Sequence, residues 1–289
     1  VIIRLILVPY HLGHRNVGLG AGPVRILEAG LTRVLNEAMH TVAVTVVELA
    51  EPPQHEVGAT FDLNRQLAQA VSNAVADEEF PLILAGNCIS CVGTLAGLGD
   101  GVGVVWFDAH GDFNSPETSA SGFLDGMALN VAVGGSWRTA AHRVPGFKPV
   151  AEAACALLGV RDLDPAEEEL LDRSQVALVR YGDLHEDGLE RSITRCTDTI
   201  ANCVQDVYVH VDLDVLNRDL VPANQFSPPG GLAPDELNRS LEIVRQRLNV
   251  RAAALTAYNP EHDDGRLALA AATGVIGQLA EIGGGEREG

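Results

Sequence analysis

An α/β fold built on a mostly parallel sheet is what this chain of 289 residues predicts. Three observations lead there. Eight short runs rich in Val, Ile, Leu and Ala recur along the chain, and amphipathic stretches of helical period lie between most of them. The runs also lack the strict alternation of a half-solvated strand, so they read as strands buried on both faces and covered by helices.

In chain order, residues 2–8 form the first strand. Gly22-Pro23 then opens a helix over residues 24–39, with proline in the first turn, where its missing N–H costs nothing. A strand at 42–47, a helix at 64–76 and strands at 81–85 and 102–107 follow. The second half repeats the pattern: strand 154–160, helix 165–173, strand 176–179, helix 186–202 and strand 207–211. Ala233-Pro234-Asp235-Glu236 starts a helix over 234–248, its acids set against the positive end of the helix dipole. Strand 251–255 and helix 266–279 close the series. No long linker, repeat or low-complexity block interrupts it, so one domain spanning 1–289 is expected, with a frayed Gly/Glu-rich tail at 283–289.

The formal charge of −19 argues against nucleic acid and anionic membrane surfaces as partners and favours cationic or zwitterionic small molecules. No apolar stretch reaches the roughly 18 residues that span a bilayer, and no charged leader with a cleavage site opens the chain. A soluble, cytoplasmic protein is expected. Five cysteines at irregular spacing do not form a disulfide framework.

Chemistry concentrates where apolar runs end. Val105-Trp106-Phe107 opens into Asp108-Ala109-His110-Gly111-Asp112, whose donors at period two would point to one side of an extended segment. Tyr208-Val209-His210-Val211 runs into Asp212-Leu213-Asp214, and Cys88 stands in the Gly-Asn-Cys turn after a third strand. In such a sheet ligands collect at the carboxyl ends of strands. Cys88, Asp108, His110, Asp112, Asp212 and Asp214 therefore form a candidate set for two divalent ions around a shared water. A lone Asp-x-Asp is ordinarily a solvated loop or a cap; agreement of three strand ends argues against that here.

These tracts resemble the arginase/agmatinase, or ureohydrolase, family of binuclear manganese enzymes over residues 80–265. Asp108-Ala109-His110-Gly111-Asp112, with Ser121-Gly122-Phe123-Leu124-Asp125-Gly126-Met127 downstream, is similar to the family's Asp-Ala-His-x-Asp and Ser-Gly-x-x-His-Gly motifs. Asp212-Leu213-Asp214 and Pro229-Gly230-Gly231 match its Asp-x-Asp and Pro-Gly-Gly turns. The resemblance implies a three-layer α/β/α sandwich with an eight-stranded sheet, and a trimer or hexamer. It also implies amino-acid recognition: Asn114 and Ser121 at the α-carboxylate, Asp164 at the α-amino group. Asp164 precedes Pro165 and serves equally as an N-cap, which does not exclude binding.

Four positions depart from the pattern. Cys88 replaces the first histidine ligand, and a thiolate suits Zn, Fe or Co better than Mn. A similar exchange, with a His-Gly-Asp-Phe-Asn-x-Pro-Glu-Thr tract, belongs to the hydroxyarginine amidinohydrolase branch, which residues 110–118 resemble closely. Asp125 replaces the motif histidine, Phe226 a threonine, and Ala257 the glutamate that binds a guanidinium. Loss of that glutamate removes a bidentate, charge-assisted partner and argues against plain arginase activity. The implied reaction is attack of metal-activated water on a guanidino or amidino carbon of an arginine-like amino acid, releasing urea or hydroxyurea. Asp125 or Asp112 would supply the proton to the leaving amine. Alternatives are hydrolysis of another C–N bond, such as a formimidoyl group, or a non-catalytic metal- or amino-acid-binding relative.

Other residues say less. His11 and His14 lie in a loop after the first strand, where solvation is the preferred reading over a place at the site mouth. Cys91 makes a Cys-x-x-Cys with Cys88, but its context fits packing against a helix better than redox chemistry. Glu117 and Glu167 read equally as pocket rim or solvated acids.

Overall fold

The computed structural model describes residues 1–50 and 55–283. Eight strands form one sheet among these residues: β1 (Ile2–Val8), β2 (Thr41–Val46), β3 (Phe80–Ala85), β4 (Val102–Phe107), β5 (Cys155–Val160), β6 (Ala177–Arg180), β7 (Asp206–Asp212) and β8 (Asn249–Thr256). Their order is β2-β1-β3-β8-β7-β4-β5-β6, and every neighbouring pair is parallel.

Pleating divides each central strand between two apolar layers. Val105 and Phe107 of β4 face a core shared with the helices Leu189–Ala201, Pro234–Arg247 and Leu267–Gly283. Val104 and Trp106 face the other, shared with Glu56–Ala76, Cys91–Leu98 and Ala128–Ala132. The result is the expected three-layer α/β/α sandwich. Burial on both faces holds for β3, β4 and β5. It fails for the outermost strand β2, whose Val44 and Val46 are exposed.

Two sequence expectations are corrected at element level. The helix foreseen at 24–39 is two, Gly22–Glu28 and Leu31–Glu37, because Gly30 adopts φ +96° and turns the chain. Gly283 is not tail but the last residue of its helix, where any side chain would collide with the Phe80 ring. The rest of the expected tail, 284–289, lies outside the described residues. The helix Cys91–Leu98 went unforeseen, since Cys91 to Ala96 are all buried and show no amphipathic period. Among the described residues no helix is long and apolar enough to cross a membrane.

Candidate metal centre

The carboxyl ends of four adjacent strands, β3, β8, β7 and β4, supply the site. Cys88 follows β3, Asp108 follows β4, Asp212 ends β7 with Asp214 in the next turn, and Thr256 ends β8. This is also where strand order reverses, the usual place for a ligand crevice in such sheets.

Two overlapping groups of donors result. Cys88, Asp108 and Asp112 offer ligand atoms within 4.8 Å of one another, and so do Asp108, His110 and Asp214. Asp108 belongs to both. His110 Nδ1 lies 3.4 Å from Asp108 and from Asp214. Asp212 joins through Oδ2, which accepts from the Cys88 thiol at 3.1 Å, and through Oδ1, which accepts from the Asp214 N–H at 2.9 Å. All six donors foreseen from sequence thus meet, though not by the expected geometry. The strand stops at Phe107, the His110 N–H folds back onto Asp108 Oδ1 at 2.7 Å, and Asp112 has φ +48°. His110 and Asp112 therefore enter different groups, and a tight turn rather than a pleat sets their directions.

Clustered acids this deep are electrostatically expensive. Burial, reinforced by neighbouring carboxylates, pushes Asp112 and Asp212 well above the ordinary carboxylate range and raises Asp108 too. Burial works against the His110 imidazolium, but Asp214 and the hydrogen-bonded Asp108 outweigh it and hold His110 near 10. Burial, with Asp212 beside it, also drives the Cys88 thiol up. Asp112 Oδ2 is buried with no hydrogen-bond partner. An orphaned carboxylate oxygen inside a crowd of acids fits a site built to receive divalent cations, which replace the protons these groups otherwise retain.

Above this floor opens a cavity of about 200 Å³. Asn114, Ser121 and Asp164, named from sequence, all line it. Asn114 Nδ2 donates to Asp164 Oδ2 at 3.1 Å, and Ser121 lines the wall from an exposed turn in which its Oγ accepts from the Phe123 N–H. Glu167, ambiguous in sequence, is buried in that wall; it accepts from the Phe113 N–H at 2.8 Å and the Asp164 N–H at 3.3 Å. Burial, opposed by those two donors, lifts its carboxyl to about 7. Glu117 is exposed at the surface.

Asp125 is buried and lines the same cavity. Its Oδ2 accepts from Asn87 Nδ2 at 2.5 Å and its Oδ1 from the Ile89 N–H at 2.9 Å, so it also anchors the turn that carries Cys88. Burial raises its carboxyl to about 7 against the pull of those donors. Ala257 is buried with φ +63°, and Phe226 is 43% exposed at the mouth, its ring 5.5 Å from Phe123. His11 corrects the solvated reading: it is half-buried, 6.1 Å from the Phe123 ring, and burial lowers its pKa. His14 is exposed, and the Cys91 thiol donates to Ala128 O at 3.6 Å, on the helix side as expected.

Several supporting residues carried no signal in sequence. Arg161 donates to the carbonyls of Asp214 (2.7 Å), Leu216 (3.2 Å) and Pro229 (3.1 Å), stitching the Asp214 turn to the Pro-Gly-Gly loop. Asn224 Nδ2 donates to Ala257 O at 2.8 Å, while its Oδ1 accepts from the Phe226 N–H. Nothing in the sequence marked either, because the carbonyls they hold lie far along the chain, those of Asp214, Leu216 and Pro229 for Arg161 and that of Ala257 for Asn224.

A family model described as the Arginase family matches residues 2–280. The chain is 28% identical over 295 aligned positions to the arginase of Bacillus caldovelox, covering 96% of this chain and 97% of that one. The solved structure of that arginase matches with a TM-score of 0.87 at 26% identity over 98% of each chain. The arginase of Bacillus subtilis subsp. subtilis str. 168 gives 0.88 at 27% identity over 99% of each.

Proposed function

The chain belongs to the arginase family, and on that premise we propose that it is a metal-dependent amidinohydrolase of an arginine-like amino acid, acting best on N-hydroxyarginine and releasing hydroxyurea. One observation carries the reading: a single cavity is lined by members of both donor groups and by Asn114, Ser121 and Asp164, while Ala257 leaves no carboxylate at its own position. Asn114, Ser121 and Asp164 favour a free amino acid over a simple diamine. The distal end, with Ala257 and Phe226, suits a modified and less basic guanidine better than a guanidinium that demands a bidentate acid. The whole chain, 1–289, is taken as one catalytic domain.

Cys88, Asp108 and Asp112 would hold one divalent cation and Asp108, His110 and Asp214 the other, with Asp212 completing the set. When bound, such a pair supplies an activated water at neutral pH. Manganese is the ion proposed, with zinc, iron or cobalt favoured where the softer Cys88 sulfur ligates. Asn114, Ser121 and Asp164 hold the α-carboxylate and α-amino groups, which fixes how far the side chain reaches toward the acidic floor. The amine must leave protonated. Asp125 is the acid proposed to deliver that proton, with Asp112 as the other carrier.

Mass-spectrometric metal content, measured together with urea and hydroxyurea release after Mn²⁺ loading, tests the reading. Arginine, N-hydroxyarginine, agmatine, guanidino acids and formimidoylglutamate make up the panel. Two metals per chain and a kcat/KM on N-hydroxyarginine about tenfold or more above arginine are expected. Asp125→Asn should keep both metals and lower kcat by about 100-fold. A preference for formimidoylglutamate would move the reaction off guanidines, and no stable metal after loading would sink the mechanism.

A further inference from the structure

Beneath the metal floor runs a chain of buried polar groups that the reaction scheme leaves unused. Tyr208 and His210 are both 0% exposed, on β7 two pleats and one pleat before Asp212 respectively. Tyr208 OH lies 2.7 Å from His210 Nδ1, His210 Nε2 lies 3.2 Å from Thr256 Oγ1, and Thr256 Oγ1 lies 3.1 Å from Cys88 Sγ. The His210 ring stacks on Trp106 at 3.6 Å and 14°, and the Trp106 indole N–H donates to Asp108 Oδ2 at 2.9 Å. A histidine is a costly filler for an apolar core, and both of its ring nitrogens here face hydroxyls rather than acids. Through one hydroxyl and one indole it reaches two members of the same donor group, Cys88 and Asp108.

The sulfur dictates which way the chain points. As a thiol it donates to Asp212 Oδ2 at 3.1 Å. As a metal ligand it carries no proton and can only accept. Thr256 has one hydroxyl proton, with Cys88 Sγ at 3.1 Å and Val211 O at 3.4 Å as competing acceptors. If that proton goes to sulfur, the Thr256 oxygen is free to accept the His210 Nε2–H, and the bare Nδ1 accepts the Tyr208 O–H. Every donor and acceptor is then matched, in the single sense Tyr208 to His210 to Thr256 to Cys88.

We propose that Thr256, oriented by the Trp106-stacked His210, is a positioning residue that donates a hydrogen bond to the Cys88 sulfur and sets its strength and direction as a metal ligand. The inference rests on the reading that Cys88 ligates. Hydrogen bonds to ligating atoms from an outer layer typically change metal affinity 10–100-fold, and a donor on sulfur lowers the energy of its lone pairs. Removing it makes the sulfur a stronger electron donor and leaves its side chain less well aimed.

Cobalt(II) tests this, because a ligating thiolate gives a near-ultraviolet sulfur-to-cobalt band. Wild type and Thr256→Ser, which keeps the hydroxyl, should show the same band. Thr256→Val should move it to longer wavelength and weaken cobalt binding about tenfold. His210→Phe keeps the stack on Trp106 but removes the Nε2–H; it should shift the band the same way by less, and it serves as the second probe if Thr256→Val does not fold. An unshifted band in both variants overturns the positioning role while leaving Cys88 a ligand. A wild-type protein that binds two cobalt ions with no sulfur band overturns the inference through Cys88 itself, and the amidinohydrolase reading survives if turnover persists.

Discussion

Asp112 concentrates the tension in this site: a buried carboxylate with φ +48°, one oxygen without a partner and acids on every side. Without a cation, burial and like-charge repulsion make its ionised form a liability to the fold. Asp112→Asn should therefore raise the stability of metal-free protein by about 1–3 kcal/mol in a urea melt, while weakening metal binding in a parallel titration. A variant less stable than wild type under metal-free conditions would contradict this account. Ala257 is the complementary case, a site defined by what its side chain lacks. Its left-handed backbone is held by Asn224, which donates to its carbonyl, so the turn keeps its shape while the wall loses an acid.

At the scale of elements, turns rather than strands carry the donors, and each turn is tied to another. Asn87 accepts from the Leu12 N–H at 2.8 Å and donates to Asp125, linking the short antiparallel hairpin of Tyr10–His11 and His14–Arg15, the Cys88 turn and the cavity wall. Gly86 permits that meeting, since a side chain there would strike Tyr10 O and Gly20. Arg161 plays the same part for the Asp214 turn and the Pro-Gly-Gly loop, where Gly231 at φ +114° lies against Leu216 O. Lysine there would keep the charge but not the fork of donors. Arg161→Lys should cost about 2–4 kcal/mol in thermal or urea unfolding and reduce metal affinity through a loosened Asp214; unchanged affinity would show that the turn holds itself.

Across the whole molecule the site couples folding to pH and metal. Asp108, Asp112 and Asp212 are raised above the ordinary carboxylate range, and His110 is raised to about 10. A raised folded pKa stabilises below the unfolded value and loses that contribution as pH climbs through the folded one. His210 acts oppositely: burial lowers it to about 3, so its contribution is lost as pH falls below about 6.5. Between about pH 6.5 and 8.5 only the acids and His110 change. Metal-free protein should therefore lose thermal stability across that window, and the gain on adding Mn²⁺ should widen with pH. A metal-free melting temperature that rises across the window would refute this.

Local chemistry made much of this legible in advance. Apolar runs long enough only for strands, alternating with helical periods, specify a parallel sheet, and a parallel sheet delivers its loops to one end. Asp108, His110, Asp112, Asp212 and Asp214 could thus be named together, because donors that close a strand have nowhere else to go. What folding alone decided was partnership at long separation. That His110 and Asp112 divide between two groups follows from the turn after Phe107, where the His110 N–H folds back onto Asp108 and Asp112 takes a left-handed angle. That Glu167 faces the cavity, that Arg161 binds a distant loop, and that His210 of β7 reaches Cys88 beyond β3 through Thr256 of β8 all depend on strand order. Periodicity along a chain encodes which face a residue takes; it does not encode which strand lies next to it.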